Sequence, residues 1–133
     1  MTLDNLLTGL NQASNLIHQN NKAKGFWDKE RNIGELLMLV TSELGEAMEA
    51  HRKSKFANWE NYDKLRLQLG NNPNTLDTVS FKEHIKDTFE DEIADAVIRL
   101  LDLAAGLGID LEKHISSKVQ YNETRPILHG KSY

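Results

Sequence analysis

The sequence predicts an all-α protein built around a four-helix bundle, on three observations. Apolar residues recur at helical spacing through most of the chain, with no convincing alternation of strand type. The 133 residues contain only two prolines, Pro73 and Pro126, both in stretches that read as connections or ends. Polar and glycine-bearing segments punctuate the periodic ones, as expected of helices packed with short or moderate connections.

Each element follows from its own residues. In the first segment Leu3, Leu6, Leu7, Leu10 and Ile17 share a helical face, which ends in the polar "HQNNKAKG". The second helix is expected to start at Asn32, whose side chain can cap it while Glu35 reaches back at capping-box spacing. Its apolar face reads Leu36, Leu37, Val40, Leu44, Ala47 and Met48. From His51 to Val79 the periodicity weakens: "WENYDKLRLQL" can form a short helix, and "GNNPNTLDTVS" reads as a loop. Ser80 with Glu83 makes a second capping box, which is expected to open a third long helix with Phe89, Ile93, Val97, Leu100 and Ala104 in register. Gly106 and Gly108 end it. Asp110 is placed to cap a fourth helix carrying Leu111, Ile115 and Val119, which stops before Pro126. No repeat of solenoid length occurs.

A chain of this length is expected to form one domain, residues 1–133, with a modest core: hydrophobic residues make up 39% and mean hydropathy is −0.54. Part of its apolar surface then calls for a partner subunit. No apolar run approaches the roughly 18 residues of a membrane span. The N-terminal "MTLDNLLTGLNQ" lacks the basic and apolar regions of a signal peptide, so the expected location is cytoplasmic. The absence of cysteine excludes disulfides, thiolate zinc sites and cysteine nucleophiles. A net charge of −4 disfavours a nucleic-acid binder held by phosphate contacts, so any polyanion site must rest on a few placed cations or a metal.

The chemistry-bearing feature is a repeated acidic spacing. In "SELGEAMEA" Glu43 lies in line with Leu36 and Leu39, and Glu46 lies at the margin of the same stripe. Residues three apart on a helix differ by about 60° around the axis and about 4.5 Å along it, so the two project as neighbours. In "EDEIADAVIRLL" Glu92 falls beside the stripe of Phe89, Ala96 and Leu103, and Asp95 at its border. A single pair of this kind is commonly a solvated helix margin. Two pairs on two helices of one bundle are another matter, because converging carboxylates cannot all stay ionised without a cation. Oxygen-only ligands favour a hard ion such as a partly hydrated Mg²⁺, bridging to phosphates. The Glu-x-x-His pattern of di-iron bundles has no match among the five histidines. Glu49, Glu90, Asp91 and Asp102 point further out and read as solvated charges, Glu49 alone continuing the acidic row.

Lys118, Asn122 and Arg125 recur at i, i+4 and i+7 near the end of the fourth helix. Lysine and arginine hold phosphate oxygens and asparagine can donate from its amide; the alternative is favourable placement of cations at a helix C-terminus. Trp27 offers a face on which a base could stack, although core packing is the commoner fate of tryptophan.

"SELGEAMEA" followed by "EDEIADAVIRLLDLA" resembles the MazG-type all-α nucleoside triphosphate pyrophosphohydrolases, whose signature is Glu-x-x-Glu and, on a later helix, Glu-x-x-Asp. The resemblance runs from about Gly25 through "KVQYNETRPILHGK". It implies a MazG-like bundle in which Glu43, Glu46, Glu92 and Asp95 hold Mg²⁺, or Mn²⁺, and supply the catalytic groups. It further implies hydrolysis of a nucleoside triphosphate to monophosphate and pyrophosphate. Lys118, Asn122, Arg125 and Lys131 would contact phosphate or sugar, Trp27 the base, and the assembly would be a homodimer or homotetramer. Residues from about Lys53 to Val79 depart from compact relatives as an insertion, a loop or short helix between the second and third main helices. The alternatives are a non-catalytic helical module that uses the acids for metal-dependent assembly, and an enzyme like phosphoribosyl-ATP pyrophosphohydrolase.

Overall fold

The computed structural model describes residues 7–70 and 77–132, and every regular element among them is helical. In chain order these are α1 (Leu10–Ala23), α2 (Ile33–Arg52), α3 (Trp59–Gln68), α4 (Thr78–His84), α5 (Phe89–Gly106), α6 (Leu111–Glu123) and a closing 3₁₀ turn, Ile127–Gly130. The all-α expectation holds. None of these helices is long and apolar enough to cross a membrane. Leu3 and Leu6 of the first apolar face lie outside the described residues, as does most of the loop around Pro73. The chain divides into two compact units, one of Arg31–Leu100 and one of Met1–Glu30 with Leu101–Tyr133.

In the unit Arg31–Leu100, the side chain of Asn32 accepts from the backbone N–H of Glu35 and starts α2 where the sequence places it. The buried line of α2 is Val40, Glu43, Ala47 and Ala50, whereas Leu37, Leu44 and Met48 of the expected apolar face stand about half exposed. The 53–79 segment carries α3, and α4 begins at its end, with the two helices packed together.

Thr78, Val79 and Ser80 are helical rather than loop, because Asp77 caps α4 by accepting from the Ser80 N–H at 3.0 Å. Ser80 is therefore not the cap of a long helix: it is fully buried, its hydroxyl donates to Asp77, and α4 ends at His84. A separate start makes α5. Thr88 is buried, its hydroxyl donates to the Ile85 carbonyl at 2.6 Å, and the same oxygen accepts from the Asp91 N–H at 3.4 Å. Backbone bonds from Asn58 to His84 (3.1 Å) and from Phe89 to Lys55 (2.8 Å) tie the 53–79 segment to the end of α4 and to this start. His51, Phe56 and Phe89 pack edge to face beside it.

In the other unit, α1 packs against α6. Asp110 caps α6 as expected, accepting from the Lys113 N–H at 3.0 Å. Asn11 donates to the Asp110 carboxylate at 2.8 Å, and its carbonyl oxygen accepts from the Leu111 N–H. Glu112 in turn accepts from the N–H groups of Gly9 and Asn11. Each helix start thus caps the other. Ile115 and Val119 of the expected α6 face are more than one-third exposed, and Ser116 takes the buried position between them. Ser14 is buried on α1, its hydroxyl donating to the Leu101 carbonyl.

Candidate metal centre

The centre lies within the unit Arg31–Leu100. Helix α2 carries Glu43 in its buried line, three residues after Val40 and four before Ala47, while Glu46 falls on the exposed side. Helix α5, phased by its start at Phe89, brings Glu92 and Ala96 inward and leaves Asp95 half-buried at the border. One carboxylate oxygen each from Glu43, Glu92 and Asp95 lies within 4.8 Å of the others, so the cluster could hold a metal ion. Glu46 is outside this group of three but interacts with Glu92.

The electrostatics follow from the crowding. Burial pushes the Glu92 carboxyl up to about 7, and repulsion from Glu46 and Asp95 adds to it. The Glu46 and Glu43 carboxylates also accept from its protonated form, which holds the proton further. Asp95 is likewise raised, first by burial, then by Asp91 and Glu43, with Arg99 opposing. A cation is bonded to the cluster: Arg99 Nε donates to Glu43 Oε1 at 2.6 Å. The Glu43 side chain of this pair is nearly enclosed, whereas the Arg99 side chain is 42% exposed. Sequence reasoning passed over Arg99, although its spacing of four from Asp95 and seven from Glu92 puts it on their face. The donor set is all oxygen, as a hard divalent cation requires.

The remaining acids differ among themselves. Glu49 pairs with Lys53 in solvent, Glu90 accepts from the Ala57 N–H, and Asp91 from the Asp87 N–H. Asp102 is not a solvated charge. It is 14% exposed and accepts from His18 Nδ1 (2.7 Å), Asn21 Nδ2 (2.8 Å) and Trp27 Nε1 (3.0 and 3.1 Å).

The other expected ligand contacts belong to the unit containing α1 and α6. Trp27 is held by Asp102 and meets the His18 ring edge-on at 4.8 Å. Lys118 and Arg125 both lie over the Tyr121 ring, at 5.1 and 5.7 Å. Arg125 lies beyond the end of α6 and donates from Nη2 to the His129 carbonyl. The Oδ1 atom of Asn122 is enclosed without a hydrogen-bond partner, and Lys131 is exposed. Comparison with protein-family models, curated proteins and solved structures found no match for this chain.

Proposed function

We propose that the chain is a Mg²⁺-dependent pyrophosphohydrolase that cleaves a nucleoside triphosphate between its α and β phosphates, giving monophosphate and pyrophosphate. The observation that carries this reading is the convergence of Glu43, Glu92 and Asp95 from two helices, in the paired acidic spacing of the MazG-like pyrophosphohydrolases. Glu43, Glu92 and Asp95 hold Mg²⁺, with Mn²⁺ as a substitute. When bound, the ion neutralises the triphosphate and the charge that develops on the leaving pyrophosphate.

Water attacks the α phosphorus in line, the bond from that phosphorus to the α-β bridging oxygen breaks, and pyrophosphate departs. Glu46, exposed and next to Glu92 without belonging to the group of three, takes the water's proton. Lys118, Asn122, Arg125 and Lys131 hold phosphate or sugar oxygens and Trp27 contacts the base, roles supported by their residue chemistry. The apolar side chains left exposed on α2 and α5, Leu44, Met48, Val97 and Leu100 among them, support assembly with further copies of the chain as a dimer or tetramer. Such an enzyme works where nucleoside triphosphates are kept, in the cytoplasm.

The test is a panel of standard and modified ribo- and deoxynucleotides, with phosphoribosyl-ATP included, incubated with Mg²⁺ or Mn²⁺. Monophosphate and pyrophosphate are the expected products. Diphosphate and orthophosphate would overturn the assigned bond. Turnover of phosphoribosyl-ATP alone would move the substrate, and no turnover at all would favour the assembly module.

A further inference from the structure

We propose that Arg99 is a phosphate-binding residue of this centre, which holds Glu43 through Nε and offers its terminal N–H groups to the pyrophosphate end of the nucleotide. The inference rests on the pyrophosphohydrolase reading and adds a residue to it. Three observations carry it. Arg99 follows Asp95 by one helical turn, so the carboxylates and the guanidinium leave α5 on one side. Its Nε donates to Glu43 Oε1 at 2.6 Å, which ties the cation to a carboxylate of the three-acid group. The side chain is 42% exposed although its partner is only 10% exposed, so the pair joins an enclosed carboxylate to a side chain that solvent reaches.

A guanidinium fixed through Nε presents its remaining N–H groups as a planar fork, which matches two oxygens of a phosphate. An acidic cluster repels a triphosphate, and a positively charged rim beside it would offset that repulsion when a cation bridges the two. The same placement gives Arg99 an opposite effect on the cation itself. Its positive charge and its claim on Glu43 both work against the metal, so its removal strengthens metal binding while weakening pyrophosphate binding. A purely structural ion pair has no reason to separate the two.

Calorimetry on the full chain tests this with two probes, Mn²⁺ alone and inorganic pyrophosphate in excess Mg²⁺. For R99Q the expected result is Mn²⁺ affinity above that of the unsubstituted protein, with pyrophosphate affinity down about tenfold. R99K keeps a cation beside Glu43, guards against a folding defect in R99Q, and is expected to lose pyrophosphate affinity by about threefold for want of the planar fork. Unchanged pyrophosphate affinity in both variants, or parallel loss of metal and pyrophosphate, would overturn the assignment. Nucleotide products of the unsubstituted protein separate the two proposals. Normal turnover with unaltered pyrophosphate binding in R99Q sinks Arg99 alone, whereas the expected binding pattern without monophosphate product sinks only the reaction.

Discussion

Helix α5 carries two acids that solvent barely reaches, and their surroundings are opposite. Asp102, 14% exposed, accepts hydrogen bonds from His18, Asn21 and Trp27. Glu92, 5% exposed, faces Glu43, Glu46 and Asp95 and is pushed up to about 7. Burial is common to both, so burial does not separate them; the supply of donors does. A carboxylate ringed by donors joins distant segments of chain and stabilises the fold. One ringed by other carboxylates costs stability until a proton or a cation arrives, which is the condition of a binding site.

The sharpest way to break this contrast is to neutralise each acid. Glu92→Gln should lower nucleotide turnover on the order of a thousandfold, since it removes a ligand of the proposed ion. The same variant should melt no lower than the unsubstituted protein in chelator at about pH 8, because a repelled charge has been removed. Equal turnover with equal metal dependence would refute the role given to Glu92. Asp102→Ala should do the reverse. It strands the donors of His18, Asn21 and Trp27, so a loss of about 2–3 kcal/mol is expected, seen as a melting point lower by roughly 10 °C. Mn²⁺ affinity, measured by calorimetry, should not change.

A smaller effect is expected from pH. The folded pKa of Glu92 is raised from its ordinary 4.5 to about 7, so the folded state holds the proton more tightly than the unfolded chain. Stability is then fully present below about pH 4.5 and declines as pH rises through about 7. Asp95 is raised as well and acts in the same direction. Asp77 and Asp110 are lowered, so their contributions fade only in acid, below the ordinary carboxylate range. Protein in chelator should therefore lose about 5 °C in melting point between about pH 5 and about pH 8. Excess Mg²⁺ should flatten that slope. A melting point that stays level or climbs over this range in chelator would contradict the crowding of the four acids.

The spacing within each acidic pair was legible in the sequence because it is local, and Glu43, Glu92 and Asp95 do converge, whereas Glu46, expected with them, falls outside that group on the exposed side of α2. The caps at Asn32 and Asp110 were legible for the same reason. Rotation of the helices was less so. Leu37, Leu44 and Met48 on α2, and Ile93, Val97 and Leu100 on α5, belong to broad apolar faces of which only part is buried. Periodicity finds such a face without telling which edge turns inward, and here Ala47, Ala50 and Ala96 mark the buried edge. Ser80 was misread as a cap because Asp77, three residues earlier, caps the helix first: it accepts from the Ser80 N–H, which puts Ser80 inside the first turn. Asp102 was misread because its donors come from 75 to 84 residues away, beyond any local pattern.

The smallest predicted effect tests whether Asp102 fixes the position of Trp27 or merely touches it. A Cβ added at Gly106 would lie 2.8 Å from Trp27 Cη2, closer than carbon atoms tolerate, and a tight 3.2 Å from His18 Cε1. If the indole is pinned by its two bonds to Asp102, it cannot withdraw. Gly106→Ala then gains up to about 1 kcal/mol of helix propensity but forfeits more to overpacking, for a net loss of about 1 kcal/mol. In an Asp102→Ala background the ring is released, and the same alanine should be neutral or stabilising. Urea unfolding of the four proteins gives the coupling as a double-mutant cycle. An equal cost for the alanine in both backgrounds would mean that packing around the ring, not the carboxylate, holds Trp27 against α5.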